Sequence, residues 1–432
     1  MTMFQAVGVL LTLIAIFGLI NQRFLKLPDT LGITAVGLLV SLCFLVASYG
    51  NPDFVSKARR LVGNIDFSDV VFHGLLSFLL FASALHVDLS KMRTVKLPVF
   101  LLATAGVLIS TVAVGTGFHL LTFTLGHPVG WLWSLVFGAL ISPTDPIAVV
   151  SVLKNAGAPE SLKIKIAGES LFNDGTGVVA FVTLVGLATG ATEFSATHAA
   201  TTLVREVGGA AIVGLVLGYG GFRMLRALES YAVQIVVTLA LATAGYSLSE
   251  FLHVSAPLAM VVMGLVVGNQ NSKRAMSART REHLFGFWGL LDELLNLVLF
   301  ALIGLQVIAV SFEIKVFWVA LATIPIVLVA RAISVAIPLA TLRSFREVNP
   351  HSVKIMTWGG LRGGISIALA LSLPEFPGRE MLIGVTYLVV VFSLLVQATT
   401  LGSLVRHLTG CSGTSAKRET TASGTSSRPR NV

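Results

Sequence analysis

Charged residues are scarce in this sequence. Only 12% of its 432 residues are Asp, Glu, Lys or Arg, whereas 55% are hydrophobic and the mean hydropathy is +0.87. A soluble globular domain carries roughly 25% charged residues, so this chain has too little polar surface for a water-soluble fold. The sequence therefore predicts an all-α polytopic membrane protein, because a helix satisfies its own backbone groups in lipid.

Cysteine is almost absent, and so are the short motifs of several catalytic classes. Cys43 and Cys411 give neither a disulfide framework nor metal-ligand spacing. The sequence has no phosphate-binding loop ending in Gly-Lys-Ser or Gly-Lys-Thr, no His-Glu-x-x-His and no Gly-x-Ser-x-Gly. These absences argue against ATP-driven transport and intramembrane hydrolysis. We therefore expect a protein that is not an enzyme and needs no cofactor.

Apolar stretches long enough to cross a hydrocarbon core of about 30 Å recur along most of the chain. We predict about thirteen transmembrane helices, within one membrane domain over residues 1–409. Residues 410–432 are rich in Ser, Thr, Lys and Arg and are predicted to form a disordered tail. The approximate ranges of the apolar stretches are 3–21, 30–49, 67–86, 97–125, 130–153, 164–189, 201–222, 231–249, 254–269, 284–309, 316–341, 353–373 and 381–405.

Most of the 30 lysine and arginine residues fall in alternate loops and in the tail. Because basic loops stay in the cytoplasm, this places the N-terminus outside and the C-terminus in the cytoplasm. The loop with Lys57, Arg59 and Arg60 breaks the pattern. The net charge of +9 then reflects membrane topology, and we expect lipid rather than nucleic acid as a partner.

Polar side chains interrupt the sixth apolar stretch between Glu169 and Asp174. In a helix, Ser170 and Asp174 share one face, and Glu169 and Asn173 form the neighbouring row. From Lys165 to Asp174 the helix rises about 13 Å, close to half of the hydrocarbon core. A carboxylate near the midplane is costly and indicates a functional site.

Two prolines flank Thr144 and Asp145 in the middle of the fifth apolar stretch. Pro143 and Pro146 should break the helix, because proline removes a backbone donor and clashes with the preceding turn. Irregular backbone at membrane depth is tolerated where it lines a cavity, and carboxylate, hydroxyl and carbonyl oxygens there suit a small cation. The alternative is a proline kink with Asp145 as a simple helix cap.

Arg362 lies among four glycines in the twelfth apolar stretch. At about 12 Å beyond Lys354 a guanidinium needs a carboxylate partner, and Glu169, Asp145 and Asp174 are predicted at similar depth. We expect Glu169 to be that partner, with a purely structural ion pair as one reading. The interrupted fifth and twelfth stretches are an odd number of spans apart, which favours inverted repeats whose two discontinuous helices cross near the midplane.

The remaining polar groups within apolar stretches are less distinctive. Asp292, Glu293 and Asn296 fall in the tenth stretch, and we interpret them as interhelical hydrogen-bonding groups rather than as a second polar lining. Arg331 is a further arginine at membrane depth, for which we expect a partner in the tenth stretch.

Three motifs together resemble the monovalent cation:proton antiporters of the NhaP/NHE type. They are Ser-Pro-Thr-Asp-Pro at 142–146, Glu-Ser-Leu-Phe-Asn-Asp-Gly-Thr at 169–176 and Trp-Gly-Gly-Leu-Arg-Gly-Gly at 358–364. The resemblance implies a homodimer of thirteen-helix protomers, each with a dimerisation part and a core part that moves like an elevator. By motif, it implies that protons and a monovalent cation bind at Asp174, Asn173, Asp145, Thr144 and Ser170, and that Glu169 and Arg362 form a structural ion pair.

One departure from the family pattern lies at residues 80–85, Leu-Phe-Ala-Ser-Ala-Leu. Many relatives carry a glutamate where this chain has Ala82, so a carboxylate contribution from the third helix is in doubt. The tail is also shorter than the regulatory region of animal exchangers, which favours a multi-pass protein of a bacterial inner membrane.

These observations lead to a hypothesis of exchange by alternating access. Asp174 can hold either a proton or a dehydrated cation, and the bare carboxylate is too costly to move through apolar surroundings. Because Asn173 takes the place of a second titrating Asp, we expect electroneutral exchange of one cation for one proton. Sodium is our first expectation, with potassium and lithium as alternatives. The competing hypotheses are a cation channel without proton coupling and a membrane scaffold.

Overall fold

The computed structural model describes residues 3–48, 67–190, 196–269, 278–307, 313–342 and 351–409. Within these ranges every regular element is helical, as the composition predicts. The elements that position the site are named as follows. The helices are α1 (Met3–Ile20), α2 (Asp29–Ser48), α3 (Ser77–His86), α4 (Leu89–Leu101), α5 (Val107–Thr124), α6 (Trp131–Ile141), α7 (Pro146–Asn155), α8 (Glu160–Ala188), α9 (Ala196–Ala227), α10 (Tyr231–Phe251), α11 (Ala256–Val267), α12 (Ala278–Gln306), α13 (Ile314–Leu342), α14 (His351–Trp358), α15 (Gly364–Leu371), α16 (Arg379–Phe392) and α17 (Ala398–Thr409).

Wider π-helical turns continue several of these helices. They occupy Asn21–Leu25 after α1, Val70–Leu76 before α3, Leu102–Gly106 between α4 and α5, and Ser393–Gln397 between α16 and α17. The last of these turns supplies the hydroxyl of Ser393, which accepts a hydrogen bond from the backbone N–H of Arg362 at 2.9 Å. A local π-turn thus fixes one side of an unwound segment near the site.

Within the described residues, nine helical segments are long and apolar enough to cross a membrane. Three shorter apolar segments, at Asp29–Phe44, Val70–His86 and Ala256–Val267, accompany them. Each of the predicted apolar stretches contains helix, so the all-α polytopic fold is confirmed. The number of crossings stays a prediction, and so do the inverted repeats. The basic loop at Lys57–Arg60 and the tail beyond residue 409 lie outside the described residues.

Small residues let neighbouring helices pack closely. Gly37 of α2 faces Gly304 of α12, where an added Cβ would lie 3.2 Å from the Cα of Gly304. Beside this contact, Ser41 donates a hydrogen bond to the carbonyl oxygen of Gly304 at 2.8 Å. Thr34 donates in the same way to the carbonyl oxygen of Phe300 at 3.1 Å. Helix α2 is therefore held on α12 through backbone carbonyls as well as through apolar packing.

Two helical segments are broken in their middle, as the prolines and glycines predict. Between α6 and α7, residues 142–145 are not helical, because Pro143 and Pro146 cannot donate to the preceding turn. The carboxylate of Asp145 then accepts a hydrogen bond from the backbone N–H of Ile147 at 2.9 Å and begins α7 as its N-cap. Between α14 and α15, residues 359–363 are unwound over a glycine-rich stretch.

Candidate ion-binding site

The unwound segments at 142–145 (the first break) and 359–363 (the second break) contact each other directly. We call this place of contact the crossing. The backbone N–H of Asp145 donates to the carbonyl oxygen of Leu361 at 2.8 Å. The guanidinium of Arg362 donates through Nη1 to the carbonyl oxygens of Ser142 at 2.6 Å and Pro143 at 3.0 Å. The arginine therefore satisfies the carbonyl groups that the break leaves at the end of α6.

The expected ion pair between Glu169 and Arg362 is wrong in this structure. Glu169 is buried and forms a bidentate pair with Arg331 of α13, from Nη1 to Oε1 at 2.5 Å and from Nη2 to Oε2 at 3.1 Å. Arg331 also donates through Nε to the carbonyl oxygen of Met356 at 3.4 Å. Arg362 is occupied instead by main-chain oxygens of the break. The expectation that Arg331 pairs with the segment now called α12 is wrong as well.

One face of α8 contacts the first break through a small hydrogen-bonded cluster. Asn173 donates through Nδ2 to the hydroxyl of Thr144 at 2.8 Å, and its Oδ1 accepts from the backbone N–H of Thr144 at 3.4 Å. The hydroxyls of Thr144 and Ser170 lie 3.0 Å apart. All three side chains are buried. The amide of Asn173 thus holds Thr144 from both its backbone and its side chain.

Asp174 lies one position further along α8 and is buried, with 7% of the residue exposed. Among the described residues its carboxylate accepts no hydrogen bond and forms no ion pair. The carboxylate of Asp145 lines the same cavity and is close enough to repel that of Asp174. The structure therefore places two carboxylates close together, one on a continuous helix and one at a helix break.

Asp145 is half-buried and faces the second break. An added Cβ on Gly363 would lie only 2.6 Å from its Oδ2, so the glycine is needed for the close approach of the two segments. The sequence-predicted residues Asp174, Asn173, Asp145, Thr144 and Ser170 are thus brought together at the crossing. Glu169 points away from them, towards Arg331.

A cavity of about 980 Å³ reaches this crossing. Asp174, Asp145 and Thr144 line its inner part. Its outer part is lined by residues at the ends of α3, α4, α7 and α8, among them Lys91 and Lys154. These are the helix ends to which the charge pattern assigns a single side of the membrane.

The polar side chains of α12 lie on the cavity wall, whereas from the sequence we interpret them as interhelical hydrogen-bonding groups. Asp292, Glu293 and Asn296 of α12 line the cavity, and Asn296 donates to the carbonyl oxygen of Asp292 at 2.8 Å, within its own helix. The interpretation as interhelical hydrogen bonds is therefore wrong for this amide. The i, i+4 spacing of Asp292 and Asn296 in an apolar stretch is the signal that could have indicated a lining face.

Two other expectations concern the third helix and metals. Ala82 of α3 is fully buried, so no carboxylate from that position enters the site, while the neighbouring Ser83 lines the cavity. Within the described residues there is no group of three or more His, Cys, Asp or Glu side chains that could hold a metal ion. The donor set at the crossing consists of oxygens, which suits a hard monovalent cation.

Discontinuous helices that cross beside buried carboxylates define the architecture of secondary transporters, which bind substrate at such breaks. The model of the family described as sodium/hydrogen exchanger, transmembrane, matches residues 9–407. This chain therefore belongs to the sodium/hydrogen exchanger family, as the three motifs indicate.

The chain is similar to several members along nearly its whole length. It is 45% identical over 412 residues to the Na⁺/H⁺ antiporter NhaP of Pseudomonas aeruginosa, covering 94% of this chain and 97% of that protein. It is 32% identical to the Na⁺/H⁺ antiporter NhaH of Halobacillus dabanensis, covering 92% and 96%. The fold is that of the sodium proton antiporter MjNhaP1 of Methanocaldococcus jannaschii, with a TM-score of 0.73 at 21% identity over 95% of this chain and 100% of the other.

Proposed function

We propose that this membrane protein exchanges a monovalent cation for a proton, with sodium as the first candidate. The observation that carries the proposal is the Asp174 carboxylate, which is buried at the inner end of a cavity and accepts no hydrogen bond from the described residues. Binding either a proton or a cation stabilises such a buried carboxylate, because each neutralises its charge. One ligand excludes the other, since a protonated carboxyl group no longer attracts a cation. Curated relatives that bear the name Na⁺/H⁺ antiporter support the same activity.

The surrounding residues have separate roles in this proposal. Thr144, Ser170 and Asp145 supply hydroxyl and carboxylate oxygens for a dehydrated cation, together with carbonyl oxygens of the break. Asn173 takes up no proton in the working pH range and instead fixes Thr144 through two hydrogen bonds. With Asp174 as the exchanging carboxylate, one cation replaces one proton and the exchange is electroneutral.

The ion pair of Glu169 with Arg331 and the contacts of Arg362 hold the site together without taking part in exchange. Glu169 ties α8 to α13, while Arg362 ties the second break to the first. Both arginines are buried, so each needs its partners at this depth. We infer that these contacts keep the oxygens of the crossing in position when the protein changes its facing.

Coupling requires that the site opens to one side of the membrane at a time. Lys91 and Lys154 lie at the mouth of the cavity, on the side that the positive-inside rule assigns to the cytoplasm. We therefore infer an inward-facing conformation, with the N-terminus outside and the C-terminus inside. A bacterial plasma membrane, a homodimer and a core part that moves against a dimerisation part complete the proposal.

The test uses everted membrane vesicles that hold a respiration-generated pH gradient. Sodium, potassium and lithium are added in turn to vesicles with the native protein, Asp174→Asn or the control Glu282→Gln. Glu282 is an exposed carboxylate at the beginning of α12, away from the cavity. We expect a cation to dissipate the gradient with the native protein and with the control, but not with Asp174→Asn.

Two outcomes would overturn the proposal. If no cation dissipates the gradient at any pH from acid to alkaline, the protein is not a cation:proton antiporter. If Asp174→Asn matches the native protein, exchange takes place at another group. A conductance that carries cations without moving protons would favour the channel hypothesis, which family membership does not support.

A further inference from the structure

Helix α12 presents a second set of oxygen ligands to the cavity. Asp292 and Asn296 are four residues apart, so they lie on one face of the helix, and both line the cavity that reaches Asp174. Helix α12 packs on α1, α2, α3 and α10 and also contacts α15, next to the second break. The pair therefore lies on a continuous helix of the cavity wall rather than within either break.

The pair presents acceptor atoms that the described protein does not satisfy. Asn296 is 2% exposed, and its Nδ2 donates to the carbonyl oxygen of Asp292 at 2.8 Å. This leaves Oδ1 of the amide buried without a hydrogen bond, and Oδ1 of Asp292 is also buried without one, while the Asn296 amide lies close enough to stabilise the charge of the Asp292 carboxylate. A buried acceptor without a donor is costly, and two of them on one cavity wall are what a cation would stabilise.

The charges that face Asp292 favour the same ligand. The carboxylate of Asp145, on the first break, interacts with Asp292 electrostatically, and so does the neighbouring Glu293. From α3, the imidazole of His86 faces Asp292, while its ring nitrogens lie 2.8 Å from the carbonyl oxygen of Ala82 and 3.3 Å from that of Phe285. Three carboxylates around one space attract a cation rather than an anion.

We propose that Asp292 and Asn296 form an entry station that binds the monovalent cation before it reaches Asp174. The station deepens the proposed function and rests on it. Carboxylate and amide oxygens on α12 hold the cation first, and the carboxylate of Asp145 receives it from across the cavity. The station raises the apparent affinity for the cation, and it leaves the proton at Asp174 to be displaced in a later step.

The first experiment separates affinity from turnover. Everted vesicles carry the native protein, Asp292→Asn, Asn296→Ala or the control Glu282→Gln, which makes the same type of charge change on α12 outside the cavity. We expect the KM for sodium to rise roughly tenfold in Asp292→Asn, the order of magnitude for removing one carboxylate near a bound cation. In Asn296→Ala we expect about a threefold rise, with the maximal rate of both variants and all properties of the control unchanged.

Each contrary result has a distinct meaning. A fall in the maximal rate at unchanged KM would show a structural role for α12 and would overturn the station. A raised KM in Asp292→Asn with a native KM in Asn296→Ala would show that Asp292 acts only through its negative charge and that Asn296 does not bind the cation. This result too would contradict a two-residue station.

A second experiment tests the station without exchange. Equilibrium binding of ²²Na⁺ is measured on purified native protein, Asp292→Asn, Asp174→Asn and the double variant. We expect Asp292→Asn to weaken binding roughly tenfold, and the double variant to bind less than Asp174→Asn. Native binding in Asp292→Asn would overturn the station while exchange stands. Conversely, weakened binding in Asp292→Asn beside a native protein that moves no protons would support the station and refute antiport.

Discussion

The bidentate pair of Glu169 and Arg331 makes a sharp prediction, because the side chains are only 1% and 7% exposed. The isosteric change Glu169→Gln removes the negative charge and leaves the guanidinium of Arg331 buried without a carboxylate. Its hydrogen bond from Nε to the carbonyl oxygen of Met356, at 3.4 Å, remains. Breaking a buried pair on one side costs about 3–5 kcal/mol. We expect a loss of that size in the free energy of unfolding, measured with SDS in mixed micelles.

A double-mutant cycle identifies the partner. Adding Arg331→Met to Glu169→Gln removes the uncompensated charge, so part of the lost stability should return, with a coupling energy of about 1–3 kcal/mol. The same cycle between Glu169→Gln and Arg362→Met should give a smaller coupling, because Arg362 donates to main-chain oxygens. A larger coupling with Arg362 than with Arg331 would refute the pairing seen here.

Three further predictions concern the site. Thr144→Val leaves the Nδ2 donor of Asn173 buried without its partner, so stability should fall by about 1–3 kcal/mol and exchange should be lost. Thr176→Val should leave both unchanged, because among the described residues the Thr176 hydroxyl bonds only to the carbonyl oxygen of Phe172, within α8. Gly363→Ala places a Cβ 2.6 Å from Oδ2 of Asp145, and the displaced carboxylate should raise the KM for sodium, in vesicles that contain native amounts of protein. In proteoliposomes, an imposed membrane potential should not change the exchange rate, since one cation for one proton moves no net charge; a voltage-dependent rate would contradict this stoichiometry.

Much of the fold and part of the site could be predicted because the signals are local. The length of an apolar stretch predicts a helix in lipid. Two nearby prolines predict a helix break whatever the helix packs against, because the break comes from the prolines themselves. The spacing along α8 predicts Ser170 and Asp174 on one face and Asn173 on the neighbouring row, and the structure brings Ser170 and Asn173 to Thr144. These inferences need only the geometry of one helix.

The pairing of the arginines could not be predicted, because sequence gives depth in the membrane but not lateral position. Arg331 and Arg362 were both expected at membrane depth, and which one reaches Glu169 depends on how α8, α13 and the breaks pack. The carbonyl oxygens that a helix break leaves free compete with carboxylates for a guanidinium, and Arg362 binds such carbonyl oxygens here. The cavity face of α12 could not be predicted for a related reason. An amide in an apolar helix can either form a hydrogen bond to another helix or line a cavity, and the sequence does not distinguish the two.

The bond from Arg362 to the carbonyl oxygen of Ser142 joins residues 220 positions apart in the chain. At roughly 5–20 residues per second, a ribosome needs on the order of 10–40 s to make the intervening chain. During that interval the carbonyl oxygens of the first break lack the guanidinium that satisfies them. We therefore expect correct insertion of the chain, as well as transport, to depend on Arg362.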